Sequence, residues 1–172
     1  MDAILRRDVV LKMVNESEAP LSASSLAKKL SVSRQVIVGD IALLRAQGHE
    51  IIATARGYVI PKIREINQYV GKIVCLHSPE STKDELYTIV DLEAVIVNVI
   101  VEHEMYGEIT GQLNLRNRKD VDAFLCRVKS SEIKLLSELT MGIHLHTIAC
   151  RDKPHFEQVC QALDAANYLY TA

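Results

Sequence analysis

The most informative segment of the chain lies between Ser31 and Gly48 and reads SVSRQVIVGDIALLRAQG. Its apolar residues recur at i, i+4 and i+7, which is the spacing of the buried face of an α-helix; they are Ile37, Ile41 and Leu44. Ser33 can cap the start of this helix, and Gly48 can end it. We therefore predict a turn at residues 31–33 and a helix from there to about residue 47.

Two shorter helical patterns precede this segment, and a hairpin pattern follows it. Residues 3–15 have an amphipathic pattern, and the serines after Pro20 offer caps for a second helix that ends near Leu30. Two short strands are predicted at Glu50–Ala53 and Gly57–Ile60. Residues 1–60 therefore have the element order of a winged helix-turn-helix, the N-terminal part of an α+β chain.

The third helix of such a unit enters the DNA major groove, and its first residues face the base edges. Those positions are held by Ser33, Arg34 and Gln35; Arg34 can pair with guanine and Gln35 with adenine. Arg45, on the same helix, and Arg56, at the hairpin tip, are further candidates for DNA contact. A helical module used for protein contact is the alternative interpretation.

Residues 71–172 predict a separate regulatory unit, joined to the first by a linker at 61–70 that contains a short helix at Ile63–Tyr69. Strands are predicted at Gly71–Leu76, Ala94–Val101, Glu108–Leu113 and Ile143–Ala149, and helices after Pro79, at Arg118–Lys129, at Glu132–Leu139 and after Pro154. This β-α-β-β-α-β order predicts a ferredoxin-like (split βαβ) unit with strands in the order 4-1-3-2.

In that sheet the end of the first strand adjoins the start of the fourth. His77 ends the first strand, while His144 and His146 lie on one face of the fourth, and Glu85 lies in the helix that follows His77. Three imidazoles and a carboxylate at one corner suit a divalent transition metal such as zinc, nickel or iron. An ordinary role in the core or on the surface stays open for each histidine, and Glu85 can instead form a capping box.

Composition indicates a soluble, cytoplasmic protein that does not interact with membranes. The net charge is −2, no apolar run approaches the roughly 20 residues of a membrane span, and no signal peptide is apparent. The four cysteines lack CxxC spacing and are interpreted as buried small hydrophobic residues. We find no HExxH motif, nucleophile elbow or phosphate-binding glycine loop, so we predict a regulator and not an enzyme.

Two family resemblances refine this interpretation. Residues 31–48, with the wing RGYV at 56–59, resemble the helix-turn-helix of the biotin-repressor type, although Gly39 stands where that pattern often has a larger polar residue. The motifs HSPE at 77–80, HEMYGEI at 103–109 and GIHLHTI at 142–148 resemble the three histidine motifs of the 3H domain. Together these parts resemble the niacin-responsive repressors of NAD biosynthesis.

The second resemblance implies a metal held by His77, Glu85, His144 and His146. It also implies nicotinic acid as co-repressor and a homodimer on a palindromic operator in double-stranded DNA. We expect the effector to contact residues around the second histidine motif, namely His103, Tyr106 and Glu108, although Glu104-Met105 departs from the Pro-Val usual in that family. A regulator that senses the metal itself and a metal-dependent hydrolase remain alternatives.

Overall fold

The computed structural model describes residues 2–61 and 69–171. The first range forms a helical unit with a hairpin: α1 (Ala3–Glu16), α2 (Ala23–Leu30), α3 (Arg34–Ala46), β1 (Ile52–Thr54) and β2 (Gly57–Val59). Each helix begins after a polar side chain that accepts a backbone N–H of its first turn; these caps are Asp2, Ser22 and Ser33. The predicted winged helix-turn-helix is confirmed.

The inward face of α3 is the one that its spacing predicts. Ile37, Ile41 and Leu44 are buried and pack with residues of α1 and α2. Asp40 lies on the same buried side, where Arg6 of α1 donates two hydrogen bonds to its carboxylate, at 2.6 and 3.1 Å. This charged pair fixes the orientation of α1 on α3, the helix that carries the predicted DNA-reading positions.

The wing is joined to the segment that precedes α2. Leu21 and Tyr58 exchange two backbone hydrogen bonds, of 3.0 and 2.8 Å. Gly57 makes this approach possible, because a Cβ atom there would lie 2.5 Å from the carbonyl carbon of Leu21. The wing is therefore held to the helices by backbone contacts.

Residues 69–171 form an α+β unit. Its elements are β3 (Tyr69–Leu76), α4 (Thr82–Asp91), β4 (Val95–His103), β5 (Gly107–Leu115), α5 (Arg118–Ser130), β6 (Ile143–Cys150) and α6 (Lys153–Ala165), with 3-10 turns at Pro79–Ser81 and Leu136–Thr140. The chain divides into compact units at Met1–Arg64 and Glu65–Ala172. Most of the predicted linker helix Ile63–Tyr69 lies outside the described residues, and Tyr69 belongs to β3.

The strand order corrects the ferredoxin-like prediction. The sheet has the order β3-β6-β4-β5, with all neighbours antiparallel, whereas 4-1-3-2 requires β6-β3-β5-β4. The last strand lies between the first two, so that β4 contacts β6, and β5 becomes an edge. Both strand orders make β3 and β6 neighbours. The predicted proximity of His77 to His144 and His146 therefore holds in either order.

One predicted helix is also wrong. Residues 132–139 were expected to be helical, but Glu132 adopts a left-handed backbone conformation with φ of 55°, which ends the helical geometry directly after α5. Helical structure returns only at Leu136–Thr140, as a 3-10 turn.

The edge of β3 is covered by the residues that follow α6. The N–H of Leu76 donates to the carbonyl of Tyr168, and the N–H of Tyr170 donates to that of Val74, both at 2.9 Å. On the face of the sheet covered by α4 and α6, the side chains of His144, His146 and Ile148 are buried. Within residues 2–61 and 69–171, no helix is both long and apolar enough to cross a membrane.

Candidate functional site: a DNA-reading helix and a His/Glu cluster

The first candidate surface is the N-terminal end of α3. Arg34 and Gln35 are both exposed there, where a helix that enters the major groove presents its side chains to the bases. Ser33 precedes them, and its hydroxyl accepts the N–H of Val36 at 3.2 Å. Ser33 therefore caps the helix and fixes the starting direction of Arg34 and Gln35.

The two other predicted DNA-binding arginines lie in different settings. Arg56 is at the tip between β1 and β2, where its N–H donates to the side chain of Thr54 at 3.1 Å. Arg45 is in the last turn of α3; its Nε donates to the carbonyl of Ile51 at 2.6 Å, and its guanidinium lies 5.8 Å from the centre of the Tyr58 ring. The geometry thus gives Arg45 a role in holding the wing.

The second candidate site is a cluster of side chains at one end of the four-stranded sheet. His77 directly follows β3, Glu85 lies in the first turn of α4, and His144 and His146 project from β6. In the ladder between β3 and β6, His144 lies opposite Cys75 and His146 opposite Ile73, so that all of them face α4. The structure therefore brings together all four predicted metal ligands.

Glu85 is the centre of this cluster. Its Oε2 lies 2.7 Å from Nε2 of His77, and its Oε1 lies 3.2 Å from Nε2 of both His144 and His146. The side chains of all four residues are at most 4% exposed. A buried carboxylate is thus surrounded by three imidazole nitrogens.

The opposite nitrogen of each ring contacts a backbone carbonyl. Nδ1 of His77 lies 2.8 Å from the oxygen of Ser78, Nδ1 of His144 lies 2.8 Å from that of Gly142, and Nδ1 of His146 lies 2.9 Å from that of Asn98. A carbonyl oxygen only accepts, so each Nδ1 carries a proton and donates it. Every Nε2 is therefore directed towards Glu85 in the way that metal-binding histidines are oriented.

The contacts inside the cluster are close, yet several do not have hydrogen-bond geometry. Among the described residues, Nε2 of His77, Nε2 of His146 and Oε2 of Glu85 are buried and have no hydrogen-bond partner. Two ligand atoms at about 2.0–2.1 Å from one ion are roughly 2.9–3.3 Å apart at octahedral or tetrahedral angles. The two separations of 3.2 Å are compatible with a common cation, and the three unpartnered atoms are the observation that favours one.

The electrostatics also favour a cation at this place. Burial alone lowers the pKa of His77 and His146, but the Glu85 carboxylate more than offsets it, and both pKa values lie above the ordinary histidine value. Burial would raise the pKa of Glu85, yet the three histidines hold that pKa well below its ordinary value. Glu85 is therefore ionised, and protons compete with a metal ion for the cluster.

The sequence did not identify two neighbours of the cluster. The thiol of Cys75 is buried and close to Glu85 and His144, and burial and the Glu85 carboxylate raise its pKa. Tyr168 packs its ring against that of His77, with centroids 5.4 Å apart, and its hydroxyl donates to Asp84 at 2.5 Å. The sequence could have indicated Cys75, because it lies two residues before His77 at the end of a predicted strand. Residues two apart in an extended chain share a face.

The predicted effector residues are only partly brought together. His103 ends β4, and its ring centroid is 5.2 Å from that of Tyr106, which is 79% exposed in the turn to β5. Glu108 lies opposite Glu102 in the ladder, while His103 lies opposite Gly107. Because neighbouring residues of a strand point to opposite faces, Glu108 faces away from His103.

We expect Gly142→Ala to destabilise the cluster. Gly142 has φ of 96°, and a Cβ atom there would lie 2.5 Å from the carbonyl oxygen of His77. The substitution should lower the free energy of unfolding of the metal-free protein by roughly 1–3 kcal/mol, measured by urea denaturation.

Gly39→Ala is the control for this substitution. It lies inside α3, its added Cβ would meet nothing within 4 Å, and it should stabilise by about 0.5–1 kcal/mol. Equal stabilities for Gly142→Ala and the wild type would show that the close approach of Gly142 to His77 is not required.

A winged helix-turn-helix in one unit and a buried His/Glu cluster in a second unit are the arrangement expected of a transcription regulator. Residues 6–59 match the HTH domain, and residues 70–172 match the 3H domain. The chain is 43% identical to the transcription repressor NadR of Bacillus subtilis strain 168 over 166 residues, which cover 95% of the chain and 92% of that protein. It is 38% identical to the probable transcription repressor NiaR of Thermotoga maritima over 161 residues, covering 93% and 90%.

The chain therefore belongs to the 3H-domain family of helix-turn-helix transcription repressors. Three predictions are confirmed by this membership: a helix-turn-helix joined to a 3H domain, DNA as a partner, and a regulator in place of an enzyme.

Proposed function

We propose that this repressor acts on genes of NAD biosynthesis or niacin uptake, and that nicotinic acid is its co-repressor. The observation that carries the proposal is the cluster of His77, Glu85, His144 and His146, because its three histidines belong to the histidine motifs that resemble niacin-responsive repressors. Two relatives of similar length are themselves named as transcription repressors.

The same proposal assigns a divalent transition metal to the cluster. Three imidazole nitrogens and one carboxylate would hold it, and the unpartnered atoms of His77, Glu85 and His146 support that assignment. Such an ion would tie together the end of β3, the first turn of α4 and the start of β6. Zinc, nickel and iron all accept these ligands.

Repression would require a homodimer that places two α3 helices on one face of a palindromic operator, about 34 Å apart. A co-repressor strengthens this binding only if it prefers the DNA-competent arrangement of the dimer. The coupling is reciprocal, so operator DNA would tighten nicotinic acid binding by the same factor.

We expect the metal-loaded protein to bind promoter fragments of niacin or NAD-biosynthesis genes at least five times more tightly with nicotinic acid than without it. Allosteric coupling free energies of about 1–3 kcal/mol correspond to roughly 5–150-fold. Fluorescence anisotropy at one fixed salt concentration measures this, because phosphate contacts make the affinity strongly salt-dependent. Nicotinamide, which lacks the carboxylate, serves as the matched control.

The alternative of a metal-responsive regulator predicts a different pattern in the same assay. In that case operator affinity would follow the added zinc or nickel and would not respond to nicotinic acid. Specific operator binding that is indifferent to nicotinic acid at every metal concentration would refute the co-repressor assignment and leave the repressor itself intact.

A further inference from the structure

A cavity of about 610 Å³ lies beside the His/Glu cluster, at the end of β3 and the start of β6. Leu76, Pro79 and Met141 give it apolar walls. His77 also lines it, so that one member of the buried cluster forms part of the cavity surface. A ligand in this cavity would therefore be next to the cluster without entering it.

The cavity contains one side chain that can recognise an anion. Lys134 lines it, and within the described part of the chain its ammonium group has no ion-pair partner. Glu138 lines it as well, but the Oε2 of Glu138 accepts the N–H of Leu135 at 2.6 Å. This hydrogen bond fixes one carboxylate oxygen of Glu138 on its own backbone turn, and Lys134 is the cationic side chain of the cavity that can pair with an anion.

Two backbone groups connect the cavity with the histidines. Ser78 and Gly142 line the cavity, and their carbonyl oxygens accept Nδ1–H of His77 and His144, both at 2.8 Å. Any movement of these two residues changes the direction in which the imidazole Nε2 atoms face Glu85. A ligand that displaced Ser78 or Gly142 would therefore also change the geometry of the cluster through these hydrogen bonds.

We propose that this cavity is the effector site and binds a small single-ring carboxylate, with the carboxylate on Lys134 and the ring against Leu76, Pro79 and Met141. The proposal rests on the proposed function, since it gives a location to the co-repressor. It differs from the sequence prediction, which placed the effector near His103 and Tyr106 on the turn between β4 and β5. That turn lies at the end of a strand separated from β3 by β6.

The test is a direct titration of the metal-loaded full-length protein with nicotinic acid in a calorimeter, without DNA. Lys134→Met should weaken binding about tenfold or more, which is the loss expected for one charge-assisted hydrogen bond. Lys134→Arg should restore most of the affinity, because the charge is kept. Nicotinamide should bind the wild type more weakly than nicotinic acid does.

Two control variants are matched to this experiment. Lys129→Met removes the same charge from an exposed position in the last turn of α5, outside the cavity, and should bind like the wild type. His103→Ala tests the rival location at the end of β4 and should also leave the affinity unchanged. Thermal melting of each variant checks that its fold is intact.

The possible results separate the two proposals. If the wild type binds nicotinic acid and Lys134→Met binds it equally well, the cavity assignment is overturned, while the co-repressor stands. A loss of binding confined to His103→Ala would move the site to the turn between β4 and β5. A wild type that does not bind nicotinic acid at all would overturn both the cavity proposal and the co-repressor.

Discussion

Replacing Glu85 by Gln is expected to reduce the metal content of the protein from about one divalent ion per chain to almost none. Glu85 contributes the negative charge of the cluster and contacts all three histidines. The Gln side chain has nearly the same shape, and its amide N–H groups can donate to the Nε2 atoms that face Glu85 in the wild type. The variant should therefore fold normally while losing its ability to hold a cation.

Elemental analysis after incubation with nickel or zinc and gel filtration measures the metal content, and thermal melting with and without EDTA measures the linked stability. At a free metal concentration of 1,000 times Kd, the ion stabilises the folded state by roughly 4 kcal/mol, or about 10 °C in Tm. The wild type should lose this increment on addition of EDTA. Glu85→Gln should melt at the same temperature with and without EDTA.

Glu157→Gln is the matched control for this experiment. Glu157 is exposed on α6 and forms a 3.9 Å ion pair with Lys153, so its neutralisation should change neither metal content nor the response to EDTA. If Glu85→Gln retained a full equivalent of metal, Glu85 would not belong to the ligand set. The four-ligand assignment would then be wrong.

Arg34→Ala is expected to lower operator affinity about tenfold per recognition helix, and about a hundredfold when a dimer loses the contact twice. A bidentate arginine–guanine pair contributes about 1–3 kcal/mol of discrimination. Arg34 is exposed at the start of α3, where its backbone direction is fixed by the Ser33 cap. The variant should also tolerate substitution of the guanine that the wild type requires.

Operator fragments for this test can be selected from sheared genomic DNA with the wild-type protein. Lys153→Ala is the control, because it removes one positive charge at the start of α6 and leaves α3 untouched. Equal losses of specific and non-specific binding in Arg34→Ala would assign Arg34 to a phosphate and not to a base.

The first unit was predictable because its signals are local. The spacing of Ile37, Ile41 and Leu44, the Ser33 cap and the glycine at the wing each act within a few residues, and the structure contains all of them. Arg45 was less predictable. Its contact with Ile51 depends on how the chain turns back after α3, which no periodicity in the sequence encodes.

The order of the strands in the second unit was not predictable in the same way. A β-α-β-β-α-β pattern fixes the direction of each strand, but neighbours are chosen by packing between residues far apart in the chain. The helix predicted at 132–139 was wrong because no glycine or proline marks the left-handed backbone conformation of Glu132.

The proximity of the three histidines and Glu85 could be predicted because it depended on a feature common to both strand orders, the pairing of β3 with β6. The three residues predicted to contact the effector are not all brought together. His103, Tyr106 and Glu108 are close in sequence, but the alternation of side chains along β5 separates Glu108 from the other two. The cavity beside His77 is formed by residues from segments far apart in the sequence, including Lys134, so no local motif predicts it.

The way in which the cluster is divided over the chain also determines when it can form during synthesis. His77 and Glu85 leave the ribosome early, whereas His144 and His146 emerge only after β4, β5 and α5 have been made. An incomplete chain can therefore offer only part of the proposed ligand set, and His144 and His146 face Glu85 only after β6 has paired with β3. Metal acquisition would thus be a late event in maturation, and the ion would be retained mainly by chains that have finished folding.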